Sequence, residues 1–367
     1  MATDIKKLFE ALTQHQAYLY RASSKTVNEL LALFNDDTSK MLSKLRDLLD
    51  ELNESEKVAL AGGKYTTSNL REIRDLIAQW FASVNLALPE AFAVSATALA
   101  VYEANYVAKL YGAKINKPDG EKLYAAAKKI PLVGGALVDD LLSRIAENAR
   151  QKVEYAIRDG INSGKTNQEI VQRIRGTKRL NYEDGILNGT KTDIERTVRT
   201  VRSHVANQAY LNSFNQIGFE YVRFVSVLDG RTSKLCASLD GSVWEINDPA
   251  KRVPPLHPNC RSILVPVEKD GQLVGERPFV MDERRVKDIP KEERSQLIGQ
   301  LDANTTFKEF FKKTDDFFQR EWLGPKRFKL YKDGKFDFDK FFDPEGRFYS
   351  LDDLRKLDEK AFKKLGL

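Results

Sequence analysis

Apolar residues recur at three- and four-residue spacing over much of the first half of the chain, the period that lets a helix bury one face. Leu30, Leu33 and Phe34, then Met41, Leu42, Leu45, Leu48, Leu49 and Leu52, separated by Lys, Arg, Asp and Glu, predict helix through residues 1 to about 60. Gly62-Gly63 and Thr66–Asn69 punctuate this pattern, and a second helix starts at Leu70. Pro89 is expected to interrupt it, since proline lacks the N–H that a helix interior uses. An Ala-rich pattern resumes from Ala91 to Leu110 and stops at Gly112. Val138, Leu141, Leu142, Ile145, Ala149, Val153, Ala156 and Ile157 form another stripe, which Gly160 is expected to close. Thr166 to Glu169 has capping-box spacing and predicts a short helix, as does Thr192 to Glu195 ahead of Ile194, Val198, Val201 and Val205.

The period then changes. Phe219–Val227 is β-branched and aromatic, and Ser262–Val267 reads as a returning strand. Residues 175–191, rich in Gly and Asn and without a period, are the expected main boundary. These signals divide the chain into a helical N-terminal region (1–130), a helical connector (131–191), an α+β domain (192–293) and a Phe-rich extension (294–367). The fold class is α+β, mostly helical, with a short antiparallel sheet.

Composition narrows the class. The chain has 367 residues, 42% hydrophobic and 10% aromatic, which supports a packed core. Its net charge of +6 arises from 59 basic and 53 acidic residues. With most of the charge offset, the electrostatic signal for nucleic acid is weak. Two cysteines exclude a disulfide-rich scaffold. The opening residues lack the apolar run of a signal peptide, and polar residues break Phe81–Val101, so no membrane span is expected. Twelve of the twenty phenylalanines fall in residues 305–367, among sixteen Lys and Arg. Aromatic–basic interleaving can stack on single strands, but the helical spacing of Phe307, Phe310, Phe311, Phe317 and Phe318 favours a packed core.

Candidate chemistry lies in Leu228–Val267, which holds both cysteines, Cys236 and Cys260, together with His257 and the rigid run Pro254, Pro255, Leu256, His257, Pro258. Ser233-x2-Cys236 and His257-x2-Cys260 have the spacing of paired zinc ligands, with serine in one of the four places. Cys236, His257 and Cys260 are therefore candidate metal ligands. The set is one short, so the expectation is no cofactor and substoichiometric zinc. A Cys236–Cys260 disulfide is a further option. Cys260, His257 and Asp240 could make a nucleophilic triad, but a His three residues before a Cys suits coordination or loop locking better, so no catalytic residue is assigned. Ser163–Thr166 lacks the preceding strand and early glycine of a phosphate loop. Arg196, Arg199 and Arg202 lie on the polar faces of one predicted helix and are candidate nucleic-acid contacts.

These residues carry a family resemblance. Leu228, Asp229, Arg231, Thr232, Cys236, Leu239, Asp240 and Gly241, followed by Pro254, Pro255, His257, Pro258, Asn259, Cys260 and Arg261, resemble the signature of the phage Mu F-like head morphogenesis proteins, minor capsid proteins of tailed bacteriophages. Residues Gly164–Ile170, the helix with Arg196-Thr197 and Asn207-Gln208-Ala209, and the stretch Phe318–Lys335 are similar to other parts of that family, so that roughly 150–350 is covered. Ser233 and Ser262 stand where the family has cysteines. The resemblance implies a non-catalytic virion protein inside the head near the portal vertex, made in the host cytoplasm. Its implied partners are the portal protein, the major capsid or scaffolding protein and packaged DNA, with no membrane. The competing expectation is a packaged nucleic-acid- or nucleotide-processing enzyme, a nuclease or ADP-ribosyltransferase, using Arg199, Arg202, His204 and His257.

Overall fold

The structure, a computed structural model, describes residues 2–132 and 134–367; the side chains of residues 2–8, 17 and 20, and with them the amphipathic reading of the first residues, lie outside that description. Its helices are α1 (Ala2–Asp50), α2 (Glu54–Ala61), α3 (Ser68–Tyr111), α4 (Gly120–Lys129), α5 (Val138–Asn162), α6 (Asn167–Arg175) and α7 (Asn188–Ile217) in the first part. Strands β1 (Tyr221–Val225) and β2 (Leu228–Asp229), helix α8 (Lys234–Leu239), and strands β3 (Val243–Glu245), β4 (Ile263–Val267) and β5 (Glu276–Val280) follow. Then come α9 (Lys291–Leu297), β6 (Ile298–Asp302), α10 (Phe307–Lys313), α11 (Asp316–Leu323), α12 (Pro325–Lys332), α13 (Leu351–Leu357) and α14 (Glu359–Leu365). Helix dominates, with small sheets confined to the later part, as an α+β chain requires.

Two compact units emerge, one of residues 19–101 and 119–205, the other of residues 1–18, 102–118 and 206–367. Their limits fall inside α1, α3 and α7; of the boundaries drawn from the sequence, 130/131 lies between α4 and α5, while 191/192 and 293/294 fall inside α7 and α9. Composition marks linkers but carries no mark where a continuous helix passes from one packing environment to the next. The expected boundary at 175–191 is a folded loop. Thr177 N–H donates to Asp184 (2.7 Å), Ile186 N–H to the Arg173 carbonyl (3.0 Å), and Asn181 and Tyr182 take left-handed φ.

The first unit is helical. Helix α5 buries Val138, Leu142, Ile145, Ala149, Val153 and Ile157 and packs on α2, α4 and α6. Gly160 does not end it. A Cβ there would come within 2.5 Å of Ile170, so glycine permits α6 to approach α5 closely. Thr166 caps α6 through the expected capping box, whereas α7 begins four residues before Thr192. Pro89 lies inside the unbroken α3. The lost hydrogen bond is offset by Val84, Leu88 and Phe92, buried on both sides of it. By length and composition alone α3 could cross a bilayer, and a third of its apolar window is buried. Ser83, Asn85, Pro89, Glu90, Ser95 and Thr97 interrupt the apolar run, as expected, while leaving its mean hydropathy high.

The second unit holds two three-stranded sheets. In the first, β1 lies between β3 and β4, antiparallel to both, pairing Tyr221 with Val267 and Val225 with Ile263. The second has the order β2-β5-β6, with β2 parallel and β6 antiparallel to β5. Pro278 and the surrounding charges hid β5 from the sequence pattern, which had no place for this sheet. The phenylalanines form an apolar cluster, and Leu228 and Ala237 of the signature belong to it, so residues 294–367 are continuous in packing with the signature. A buried polar cluster lies elsewhere in this unit. The fully buried Glu103 accepts from Tyr210 Oη (2.7 Å) and meets His15 Nε2 at 3.0 Å, beneath stacked Tyr106.

Candidate functional site: a Cys/His clasp

Three turns of chain bring the signature together. Ser233 caps α8, accepting from Cys236 N–H, and thereby fixes Cys236 in the first turn. After β3 the chain returns through a cis Pro254–Pro255 bond, and Asn259 takes a left-handed φ of 58°, a conformation asparagine tolerates better than most residues. This reversal points His257 and Cys260 back at α8. The Cys236 and Cys260 sulfurs lie 3.6 Å apart, and His257 Nε2 is 3.3 Å from Cys236 Sγ. The expected ligand trio is thus assembled, its ligand atoms all within 4.8 Å of one another.

The thiols are 2% and 4% exposed. The Cys236 thiol donates to Cys260, which pushes its own pKa up and holds Cys260 well below the ordinary thiol value. Burial works against a charge on His257, but the hydrogen bond and attraction of Cys260 outweigh it and raise the imidazole pKa. His257 Nδ1 lies 2.9 Å from the Pro258 carbonyl. A carbonyl can only accept, so Nδ1 carries a proton and the other nitrogen faces the sulfurs.

Two carboxylates tie the loops around this centre. Asp229, 1% exposed, receives a bidentate fork from Arg261 (2.6 and 2.7 Å) and further bonds from Arg231 and Thr232. Burial opposes its charge, but the Arg261 hydrogen bonds outweigh it and hold the carboxyl below its ordinary range. A group depressed in this way stabilises the fold above the unfolded carboxyl pKa of about 3.9. That contribution is lost as pH falls through the folded value. The deficit of Asp229→Asn in unfolding free energy should therefore be full near neutrality and shrink below about pH 4. A deficit constant from neutrality to strong acid, measured by urea titration at each pH, would refute this linkage.

Asp240 accepts from Ser226 N–H (2.7 Å), Phe307 N–H (2.6 Å) and both terminal nitrogens of Arg277, whose side chain is 3% exposed. It is therefore a structural acceptor, not the orienting acid of a triad. Gly241 has φ +91°, and a Cβ there would meet Thr306 at 2.8 Å, which explains glycine after Asp240. Arg223 is also buried, donating to Gly271 O (2.9 Å) and to Asn304. Trp322 Nε1 donates to the Thr232 carbonyl (3.1 Å). Lys234 Nζ lies 3.9 Å over the Trp322 ring, its pKa lowered to about 8 by burial. None of Arg223, Arg277, Asn304 and Trp322 was a site candidate. An arginine preceding a proline in a charged run gives no sign of burial, and only the aromatic density around Trp322 hinted at a core.

The candidate nucleic-acid contacts are not an exposed basic row. Arg196 pairs with Asp193 (3.3 Å), and Arg199, largely buried, pairs with Glu195 (2.5 Å). Arg202 points inward, donating to Thr26 (3.1 Å) and Ser95 (2.7 Å). The spacing put all three on polar faces of one helix, yet their partners, an acid one turn earlier and hydroxyls distant in sequence, engage them within the protein. His204 is 3% exposed and bonds the Ala127 carbonyl at 2.9 Å, with burial lowering its pKa. It is a satisfied core histidine.

Compared with known proteins, residues 151–265 match the family model described as Phage Mu protein F like protein. The matched segment begins within α5 and ends within β4, containing α8 and the whole clasp. The similarity noted at Phe318–Lys335 lies outside it. No curated protein and no solved structure matched the chain.

Proposed function

We propose, from the Phage Mu protein F like character of residues 151–265, that this protein is a minor component of a bacteriophage head, acting in head morphogenesis without catalysis. The observation that carries the reading is that the match runs through the entire signature. The geometry supports a structural role: Asp229 is bonded to Arg261 and Asp240 to Arg277, and the two thiols are sealed from solvent. These groups lock two loops together and leave no reactive atom facing an open cleft. Within that role we place the protein inside the head at the portal vertex, touching the portal protein and neighbouring capsid or scaffolding protein. From there it assists assembly, packaging or ejection of DNA. The enzyme alternative finds less support, since His204, Arg199 and Arg202 are committed to internal contacts.

Cross-linking within intact particles tests this. Links from this chain to the portal protein are the expected result; links confined to tail proteins, or absence from purified particles, would overturn it. Turnover of a nucleic acid or a nicotinamide dinucleotide that His257→Ala abolishes would instead establish the enzyme.

A further inference from the structure

A zinc ion bound by two thiolates at about 2.3 Å and one imidazole at about 2.0–2.1 Å sets the lengths between its ligands. In a tetrahedron, those bond lengths place the sulfurs about 3.8 Å apart and sulfur and nitrogen about 3.6 Å apart. The clasp has 3.6 and 3.3 Å on those edges. The three ligand atoms all lie within 4.8 Å of one another, with Cys236 Sγ common to the two measured edges. The second observation is the imidazole's orientation. Its Nδ1–H is tied to the Pro258 carbonyl, which frees Nε2 to coordinate, the usual arrangement behind a metal-bound histidine. A third lies in Ser233: its hydroxyl accepts from Cys236 N–H (3.2 Å), so an oxygen stands in the same turn of α8 as the Cys236 ligand.

We propose that Cys236, Cys260 and His257 bind one zinc ion per chain, with an oxygen as fourth ligand on the side of Ser233. This reverses the expectation of a metal-poor clasp, which counted Ser233 as a lost ligand. Two thiolates against a divalent cation leave the buried centre neutral. Metal binding releases the protons of the coordinating thiols to solvent and involves no change of oxidation state. The inference rests on this chain's own ligand geometry and does not depend on the head-protein reading.

Full-length protein purified without chelators should hold about one zinc per chain by elemental analysis. Exchange with Co(II) should give a thiolate-to-cobalt charge-transfer band and the strong visible bands of a tetrahedral ion. His257→Ala and Cys260→Ser should lose both signals. Since such variants can fail to fold, Ser233→Cys adds a test in the opposite direction. It should raise zinc affinity tenfold or more in chelator competition, because a thiolate replaces an oxygen ligand. The proposal is overturned by metal-free folded protein that takes up no cobalt, by a Cys236–Cys260 disulfide in freshly prepared protein, or by a Ser233→Cys variant whose affinity does not change.

Discussion

Asp240→Ala is expected to cost about 3–5 kcal/mol of folding stability, because removing one partner of a buried ion pair leaves the other charge uncompensated. Arg277 would keep its acceptors at Ser226 and Thr305 but lose its only carboxylate partner among the described residues, while Ser226 and Phe307 lose the acceptor for their N–H groups. Three loops are thus released at once, the one leading into β2, the one leaving α8 and the one leading into α10. The measurement is urea-induced unfolding followed by circular dichroism. A midpoint shift corresponding to less than about 1 kcal/mol would show that the pair is solvated in solution. Asp240→Leu combined with Arg277→Met separates the penalty of an orphaned charge from the worth of the pair. The double variant should recover most of the loss, because two apolar groups need no partner.

Trp322→Ala should be comparably damaging, at about 3–5 kcal/mol for a fully buried large aromatic. The indole is 2% exposed and lies within 5.1 to 5.7 Å of the rings of Phe307, Phe311 and Phe338. It also holds the Thr232 carbonyl, one residue before the cap of α8. Trp322→Phe keeps most of the apolar contact and removes the N–H, so about 1 kcal/mol is expected for the lost bond. Equal losses in the two variants would mean the hydrogen bond dominates, contrary to the packing argument. Thermal and urea unfolding of both proteins decides between them.

Much of this architecture was legible from pattern alone. The helices around Leu30–Leu52 and Val138–Ile157, the capping box at Thr166, and the pairing of β1 with β4 all follow from periodicity and local hydrogen-bond chemistry. The clasp residues were visible because cysteine, histidine and clustered prolines are rare in this chain. What stayed hidden depends on contacts distant in sequence. Pro89 reads as a break unless the buried neighbours that keep α3 continuous are known. Arg223, Arg277 and Arg202 look like surface charges until their partners, 81, 37 and 107 residues away, are in place.

The sharing of one aromatic core by the signature and the C-terminal region bears on the order in which the protein is made. Leu228 and Ala237 pack with residues as late as Leu354 and Phe362, and Asp240 waits for Arg277 and the Phe307 amide. A ribosome that has just released the end of the matched segment at residue 265 has delivered every residue of the clasp, but not the apolar partners of Leu228 and Ala237 or the Arg277 and Phe307 groups that Asp240 binds. Those contacts form only once the later helices have emerged.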